Sequence, residues 1–254
     1  MILTHGESKY LSEWVVYYLK VLSVDQLIII DNNSTPDSSI PVLIESFPNQ
    51  IVTHWEPKPI RSVLNQVALL NKYTSMYKQS FSWIGCIDSD EFVVLPKGYP
   101  SLTSFLDSKG AYADSIYLGW KMVGPADSSC FAKTGSLVLS SFHTANDDFP
   151  PHQLGKSFVR TGAFGRFLFG PHQPILRGGS SETISYALYH YYFRDESFFE
   201  QKIKRRQESF NYHDERSVFH RNLAFCSVQH LDPLSVFSLA EFSRQWPKFK
   251  NLNL

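Results

Sequence analysis

Asp88-Ser89-Asp90 is the tripeptide of this 254-residue chain whose side-chain types and spacing offer chemistry most directly. In an extended segment residues two apart point the same way. Asp88 and Asp90 are therefore expected to present two carboxylates to one hard divalent cation, Mn2+ or Mg2+, while Ser89 turns away. Such a cation keeps positions open for phosphate oxygens and stabilises the charge that develops as a diphosphate leaves. A solvated turn after a buried strand has the same sequence appearance. A calcium loop fits less well, because Phe92 and Val93 stand where an EF-hand needs an oxygen ligand and a glycine.

The elements that must position these carboxylates alternate between strand and helix. Met1 to Thr4 is a short apolar start. Leu11, Trp14, Val15, Tyr18, Leu19 and Leu22 then recur at helical spacing. Leu27 to Ile30 is a β-branched-rich run closed by Asp31-Asn32-Asn33-Ser34-Thr35-Pro36, a cluster of turn and cap formers. Ile51 to His54 predicts another strand, Ile60 to Tyr77 a helix, and Phe81 to Ile87 the strand that delivers Asp88. Repeated strand-helix-strand units predict an α/β layered domain with ligands outside the carboxyl ends of the strands, where Asp31 and Asp88 both lie. Further on, Ser115 to Trp120 reads as a strand and Glu196 to Gln207 as a charged helix opened by Asp195. Ala145 to Leu154 and the five-glycine stretch Gly162 to Ser181 read as loops able to cover a site.

Composition narrows the classes. With 43% hydrophobic, 19% charged and 15% aromatic residues the chain is neither disordered nor of low complexity. Lys+Arg 24 against Asp+Glu 24 removes any global electrostatic case for nucleic acid or an anionic membrane. Cys86, Cys130 and Cys226 are odd in number and far apart, which argues against a disulfide framework or zinc knuckle and fits a reducing compartment. No signal peptide or membrane span is expected, because Lys20 interrupts the apolar stretch Trp14 to Val24. The expected setting is cytoplasmic, with at most peripheral association at the inner face of a membrane.

Several segments in order resemble one family. Glu7-Ser8-Lys9-Tyr10-Leu11-Ser12-Glu13-Trp14, then Ile30-Asp31-Asn32-Asn33-Ser34, then Trp83 through Phe92 resemble the start, turn and Asp-x-Asp segments of the glycosyltransferase family 2-like and family 92 group. Gln66 and Asn71, Trp120-Lys121-Met122-Val123-Gly124, Lys156-Ser157-Phe158-Val159-Arg160, His172, His190-Tyr191 and Glu200 to Arg206 are similar to its later elements. The likeness runs from residue 1 to about residue 207. Gly6 stands where the family has Asn, and Val123 where it has Phe.

The resemblance implies a GT-A fold in a single domain over 1–254: a nucleotide-sugar-binding half at 1–97, an acceptor and catalytic half at 98–210, and a C-terminal helical extension at 211–254. It implies a hexosyltransferase of polysaccharide biosynthesis that moves a sugar from a UDP-linked donor to a glycan acceptor, with inversion and a divalent metal. Asp88, Asp90 and His190 are the expected metal ligands. Thr4, Glu7, Asp31, Gln66, Asn71, Asp88, Ser89, Lys156 and His172 are the expected donor contacts. Asp31 at a strand end suits a hydrogen bond to ribose or base, and equally an Asx-turn. Lys156, Arg160, Lys202 and Arg205 supply cations for the leaving diphosphate. Inversion needs a general base, and the candidates are Glu182, in a Gly-Gly-Ser-Ser-Glu loop, and Asp127, after the Trp120 segment. Two alternatives compete: a non-catalytic carbohydrate- or nucleotide-binding module on the same frame, and a metal-dependent phosphoesterase using Asp31, Asp88, Asp90 and histidines.

Overall fold

The computed structural model describes residues 1–5, 8–34, 39–58, 60, 62–124, 138–141, 144–145, 154–168, 170–192, 194, 196–201, 204 and 229–230. The amino-terminal part runs β1 (Ile2–Thr4), α1 (Ser8–Val16), β2 (Leu27–Asp31), α2 (Ile40–Ser46), β3 (Ile51–Trp55), α3 (Val63–Tyr77), β4 (Trp83–Gly85) and β5 (Glu91–Val93). It continues with α4 (Leu102–Gly110), β6 (Ser115–Gly124), α5 (Val138–Ser141), β7 (Thr144–Ala145), β8 (Gly155–Arg160), β9 (Phe164–Phe167), β10 (Pro174–Leu176), β11 (Ser181–His190) and β12 (Gln229–His230). The expected α/β class, a Rossmann-like mixed sheet flanked by helices, is what these elements build.

Strands β1, β2 and β3 pair in parallel, with β1 and β3 on either side of β2. The Met1 amino nitrogen donates to the Gly85 carbonyl at 2.7 Å and Ile87 N–H donates to the Met1 carbonyl at 3.0 Å, which lays β4 alongside β1. From β4 the sheet passes antiparallel to β8, antiparallel again to β6, parallel to β11 and antiparallel to β5. The apolar run of β2 is explained by burial on both faces. Leu27 and Ile29 pack with Ile2, Leu11, Trp14 and Leu43 under α1 and α2, whereas Ile28 and Ile30 pack with Val67, Leu70 and Tyr73 of α3.

Local departures from the expected elements have physical causes. The first helix is α-helical only to Val16 and continues as a π turn over Tyr17–Val21. This extra residue per turn lets consecutive tyrosines both reach inward: Tyr17 OH donates to the Val93 carbonyl (2.7 Å) and Tyr18 OH to the Glu91 carbonyl (3.1 Å). Helix α3 starts three residues later than Ile60, because Ser62 caps it by accepting from Asn65 N–H while Ile60 N–H is held by Asn32. The five-glycine stretch is not one loop. It contains the antiparallel pair β9 and β10, and its end, Ser181, already belongs to β11. Residues 196–201 are helical, as expected. Of the expected C-terminal helical extension only 229–230 are described, and they form strand β12 against β7. Among the described residues no helix is long and apolar enough to cross a membrane.

Candidate functional site

The carboxyl ends of β1, β2 and β3 carry a row of three register partners: Thr4 opposite Asp31, and Asp31 opposite Trp55. Strand alternation puts all three on the α1 and α2 side, since Ile2, Ile29 and Ile51 of the same strands pack there. Each behaves differently. Thr4 is buried and its Oγ1 has no hydrogen-bond partner. Asp31 is half-buried, and its Oδ1 accepts from Ser34 N–H at 3.0 Å, the Asx-type turn that the sequence allowed. Trp55 is 55% exposed although it is one of the largest apolar side chains of the sheet. The loop beyond Trp55 is fixed from Asn32, whose amide donates to the Glu56 and Lys58 carbonyls (3.2 and 2.7 Å) and accepts from Ile60 N–H (2.9 Å).

Asp88-Ser89-Asp90 follows β4, so it opens on the same edge of the sheet. It is not extended as expected. Glu91 N–H donates to the Asp88 carbonyl at 3.1 Å, closing a tight turn, and the two carboxylates have different partners. Asp88 accepts from Lys156 Nζ at 2.7 Å and keeps a side chain 43% exposed. Asp90 is buried, with its Oδ2 3.4 Å from His190 Nε2, and its carbonyl accepts from Tyr191 N–H at 2.7 Å.

A fourth charged residue, Glu91, organises the cluster. It is fully buried and accepts from Trp120 Nε1 (2.8 Å) and Asp88 N–H (2.9 Å), with Lys156 Nζ at 3.7 Å. Burial, with Asp88 and Asp90 adding to it, pushes its carboxyl up to about 8 against the pull of Lys156. Lys156 is itself fully buried. Burial alone would lower its ammonium, but the Asp88 and Glu91 carboxylates outweigh this and hold it above the ordinary lysine range. Both shifts cannot be credited to one Lys156–Glu91 pair. The shorter contact makes Asp88 the principal partner of Lys156.

Trp120 stands between two histidines, with ring centroids 4.2 Å from His190 and 5.6 Å from His172. His172 Nδ1 lies 2.7 Å from the Gly155 carbonyl, so it carries the proton and leaves Nε2 as an acceptor. Burial lowers the His172 imidazole, with Lys156 acting in the same direction, which keeps it neutral. Asp88, Asp90, Ser89, Lys156, His172 and His190 are thus brought together from the turn after β4, from β8, from the segment between β9 and β10, and from β11.

Other expected site residues are placed elsewhere. Asn71 is taken up by the fold: its amide donates to the Phe167 carbonyl (3.0 Å) and accepts from Phe167 N–H (2.7 Å), joining α3 to β9. Gln66 is half-buried on α3. Arg160 stacks on Trp83 and donates to the Gly110 carbonyl at the amino-terminal end of β4. Glu182 corrects the loop expectation. It is the second residue of β11, ion-paired with Lys109 at 2.7 Å, and a bulged stretch of strand that pairs with Ile116 to Met122 of β6, roughly 20 Å, separates it from His190. Glu7, Asp127, Lys202 and Arg205 lie outside the described residues.

Among the described residues no group of three or more His, Cys, Asp or Glu side chains is arranged to hold a metal ion. The donor chemistry fits a divalent cation in part. Asp90 Oδ2 and His190 Nε2 are an oxygen and a nitrogen donor 3.4 Å apart, a separation that two ligands of one ion can adopt, and Asp88 has one oxygen not committed to Lys156. Three residues of this site were not singled out from the sequence. Glu91 had a signal, a carboxylate directly before the apolar run Phe92-Val93-Val94. Trp55 had one too, a large ring where the alternation of β3 turns to solvent. Arg194, which donates to Ser89 Oγ at 2.9 Å, had none.

No family model and no curated protein matches this sequence. Solved structures give distant likenesses. The S. aureus TarS 1–349 complex with UDP-GlcNAc shares 15% identity at a TM-score of 0.45, over 88% of this chain and 69% of that one. HddC from Yersinia pseudotuberculosis shares 13% at 0.44, over 80% and 97%. The nucleoside-diphosphate-sugar pyrophosphorylase from Vibrio cholerae RC9 shares 12% at 0.37, over 80% and 100%.

Proposed function

We propose that this protein is a glycosyltransferase of GT-A type, which binds a nucleoside-diphosphate sugar and moves the sugar to a hydroxyl of a glycan acceptor. The observation that carries the reading is the convergence of Thr4, Asp31 and the Asp88–Asp90 turn on one edge, at the carboxyl ends of adjoining parallel strands. Ligands of open α/β sheets bind at such edges. The first row supplies an unsatisfied hydroxyl and a half-open carboxylate for a nucleoside. The turn supplies carboxylates beside a buried lysine and two histidines, which is what a diphosphate needs once a cation joins them.

In this reading Asp90, His190 and the second oxygen of Asp88 would hold Mn2+ or Mg2+, which would supply positive charge for the departing diphosphate. Lys156 orients Asp88. Neutral His172, with Nε2 unprotonated, accepts a hydrogen bond from a sugar hydroxyl. The UDP-linked donor and inversion come from the sequence resemblance. Of the two carboxylates considered for proton removal we carry Asp127 forward, because Glu182 stands at the other end of β11. The test is thermal shift with UDP, GDP, ADP and CDP, each with manganese and with EDTA. UDP with manganese is expected to raise the melting temperature by several degrees, as a ligand bound only to the folded state must. No shift with any nucleotide would sink the reading.

A further inference from the structure

Arg194 follows β11 and is 1% exposed, yet among the described residues its guanidinium makes a single hydrogen bond, from Nη2 to Ser89 Oγ at 2.9 Å. Nε and Nη1 have no hydrogen-bond partner. The group lies against two rings, 4.4 Å from the centroid of Tyr10 and 4.6 Å from that of Phe198, and these rings meet each other edge to face with centroids 5.1 Å apart. Burying a guanidinium with one neutral acceptor is strongly unfavourable. Contact with the two rings and the charge of nearby Glu13 offset part of the cost. A methionine or leucine would fill the same space without it, so packing alone does not account for an arginine here.

The surrounding contacts show what the arginine does. The segment from 190 to 194 touches the Asp88–Asp90 turn at each end: His190 Nε2 is 3.4 Å from Asp90 Oδ2, Tyr191 N–H donates to the Asp90 carbonyl at 2.7 Å, and Arg194 holds Ser89. Lys156 holds Asp88 from β8. Ser89 is the middle residue of the turn and is buried, so the arginine holds the turn from the protein interior.

We propose that Arg194 is a positioning residue, which fixes the turn through Ser89 and so sets where the Asp88 and Asp90 carboxylates stand. The planar fork keeps its contact with the Tyr10 and Phe198 rings while one arm donates, a combination lysine cannot reproduce. The consequence for ligand binding rests on the proposed function; the effect on the turn does not.

Two variants separate these. R194M keeps a stem against the rings and removes the donor, and S89A removes the acceptor hydroxyl. Hydrogen–deuterium exchange in the full chain without nucleotide is the first readout. Both variants are expected to exchange the Asp88 and Glu91 amides about tenfold faster while the β2 amides keep their rate, as expected for a local opening. The double variant should exchange no faster than R194M, because both changes remove one bond. Turn amides that keep the wild-type rate in both variants, with only the melting temperature lowered in R194M, would overturn the proposal and leave Arg194 as core filling. The second readout is UDP affinity with manganese, expected to fall about tenfold in R194M, by roughly the 1.4 kcal/mol that corresponds to that factor. Equal affinity in R194M and wild type would overturn the consequence for binding. If wild type binds no nucleotide while the exchange result holds, the positioning role stands and the proposed function falls.

Discussion

The two halves of the strand-end edge are built on opposite principles. Thr4, Asp31 and Trp55 form an open row: one hydroxyl without a partner, one carboxylate with a single internal bond and one ring exposed to solvent. The Asp88–Asp90 turn is closed on itself, with Lys156, Glu91, His190, Tyr191 and Arg194 all bonded or paired to it. The open row has few internal interactions to lose, so a ligand supplies what it lacks. In the closed turn the protein has already supplied them, and a ligand finds charges fixed in place. This is the division expected of a site that recognises a nucleoside by contact and a diphosphate by preorganised electrostatics.

If the closed turn depends on internal charge, Lys156→Met should have the largest effect of any single change. It releases Asp88 and leaves the buried Glu91 without its cation. Glu91, pushed up to about 8, is mostly protonated at pH 7 and mostly ionised at pH 9. Breaking a buried pair by removing one partner costs about 3–5 kcal/mol, so urea denaturation at pH 9 is expected to show a loss approaching that size. A loss within about 1 kcal/mol, the range of an exposed ion pair, would erase the contrast between the two halves.

A second test addresses the buried carboxylate behind the turn. Glu13 accepts from the Val138 and Leu139 N–H groups at 2.8 and 3.0 Å, and burial pushes it up to about 7 against those bonds and the charge of Arg194. A carboxyl raised on folding binds its proton more tightly in the folded state. Its contribution is therefore fully present below about pH 4.5 and is lost as pH rises through about 7. From the one-unit equivalence of 1.36 kcal/mol, stability is expected to fall by at most about 3 kcal/mol between pH 5 and pH 8 from this group. Denaturant midpoints across that interval, in wild type and Glu13→Gln, measure it. A slope equal in both proteins would remove Glu13 as its source.

How far the sequence reached follows the same division. Period-2 and period-3.6 patterns located β2, β3 and α3 within a few residues, because burial of Ile28 and Ile30 or of Val67 and Leu70 leaves a local trace. The Asp-x-Asp tripeptide and Lys156, His172 and His190 were legible as reactive types in a recognisable order. What escaped depends on pairing across the chain. Nothing near Glu182 reveals that its strand runs beside β6 and faces Lys109, or that its register carries it away from His190. Nothing near Asn71 announces Phe167, 96 residues away, as the partner for both ends of its amide. Arg194 is legible only once Ser89, 105 residues before it, is folded against it.

The open row predicts a smaller effect confined to binding. Trp55→Ala should weaken UDP by about tenfold, within the roughly 1–3 kcal/mol that aromatic stacking contributes per base, while Trp55→Phe stays within a few-fold. Stability should hardly change, because the ring is already exposed. Titration calorimetry with UDP and with inorganic pyrophosphate separates base from phosphate: the alanine change should spare pyrophosphate. Weakening of both ligands alike would show that Trp55 shapes the loop instead of the base platform.

The smallest effect is expected at Glu182, and it sharpens the comparison by testing what lies outside both halves. Its pair with Lys109 is one-third exposed on each side chain, so solvent screens it. Such pairs contribute about 0–1 kcal/mol. Glu182→Gln keeps the size and a hydrogen-bonding end beside Lys109 Nζ, and the residue stands eight strand positions from His190. Melting temperature, UDP affinity and any turnover measured with a suitable donor and acceptor should therefore stay within about twofold of wild type, whereas loss of a general base costs about 100-fold or more. A hundredfold fall in turnover with UDP affinity unchanged would mean that the reacting hydroxyl is approached from the amino-terminal end of β11. The edge defined by Thr4, Asp31 and Asp88 would then not be where the chemistry occurs.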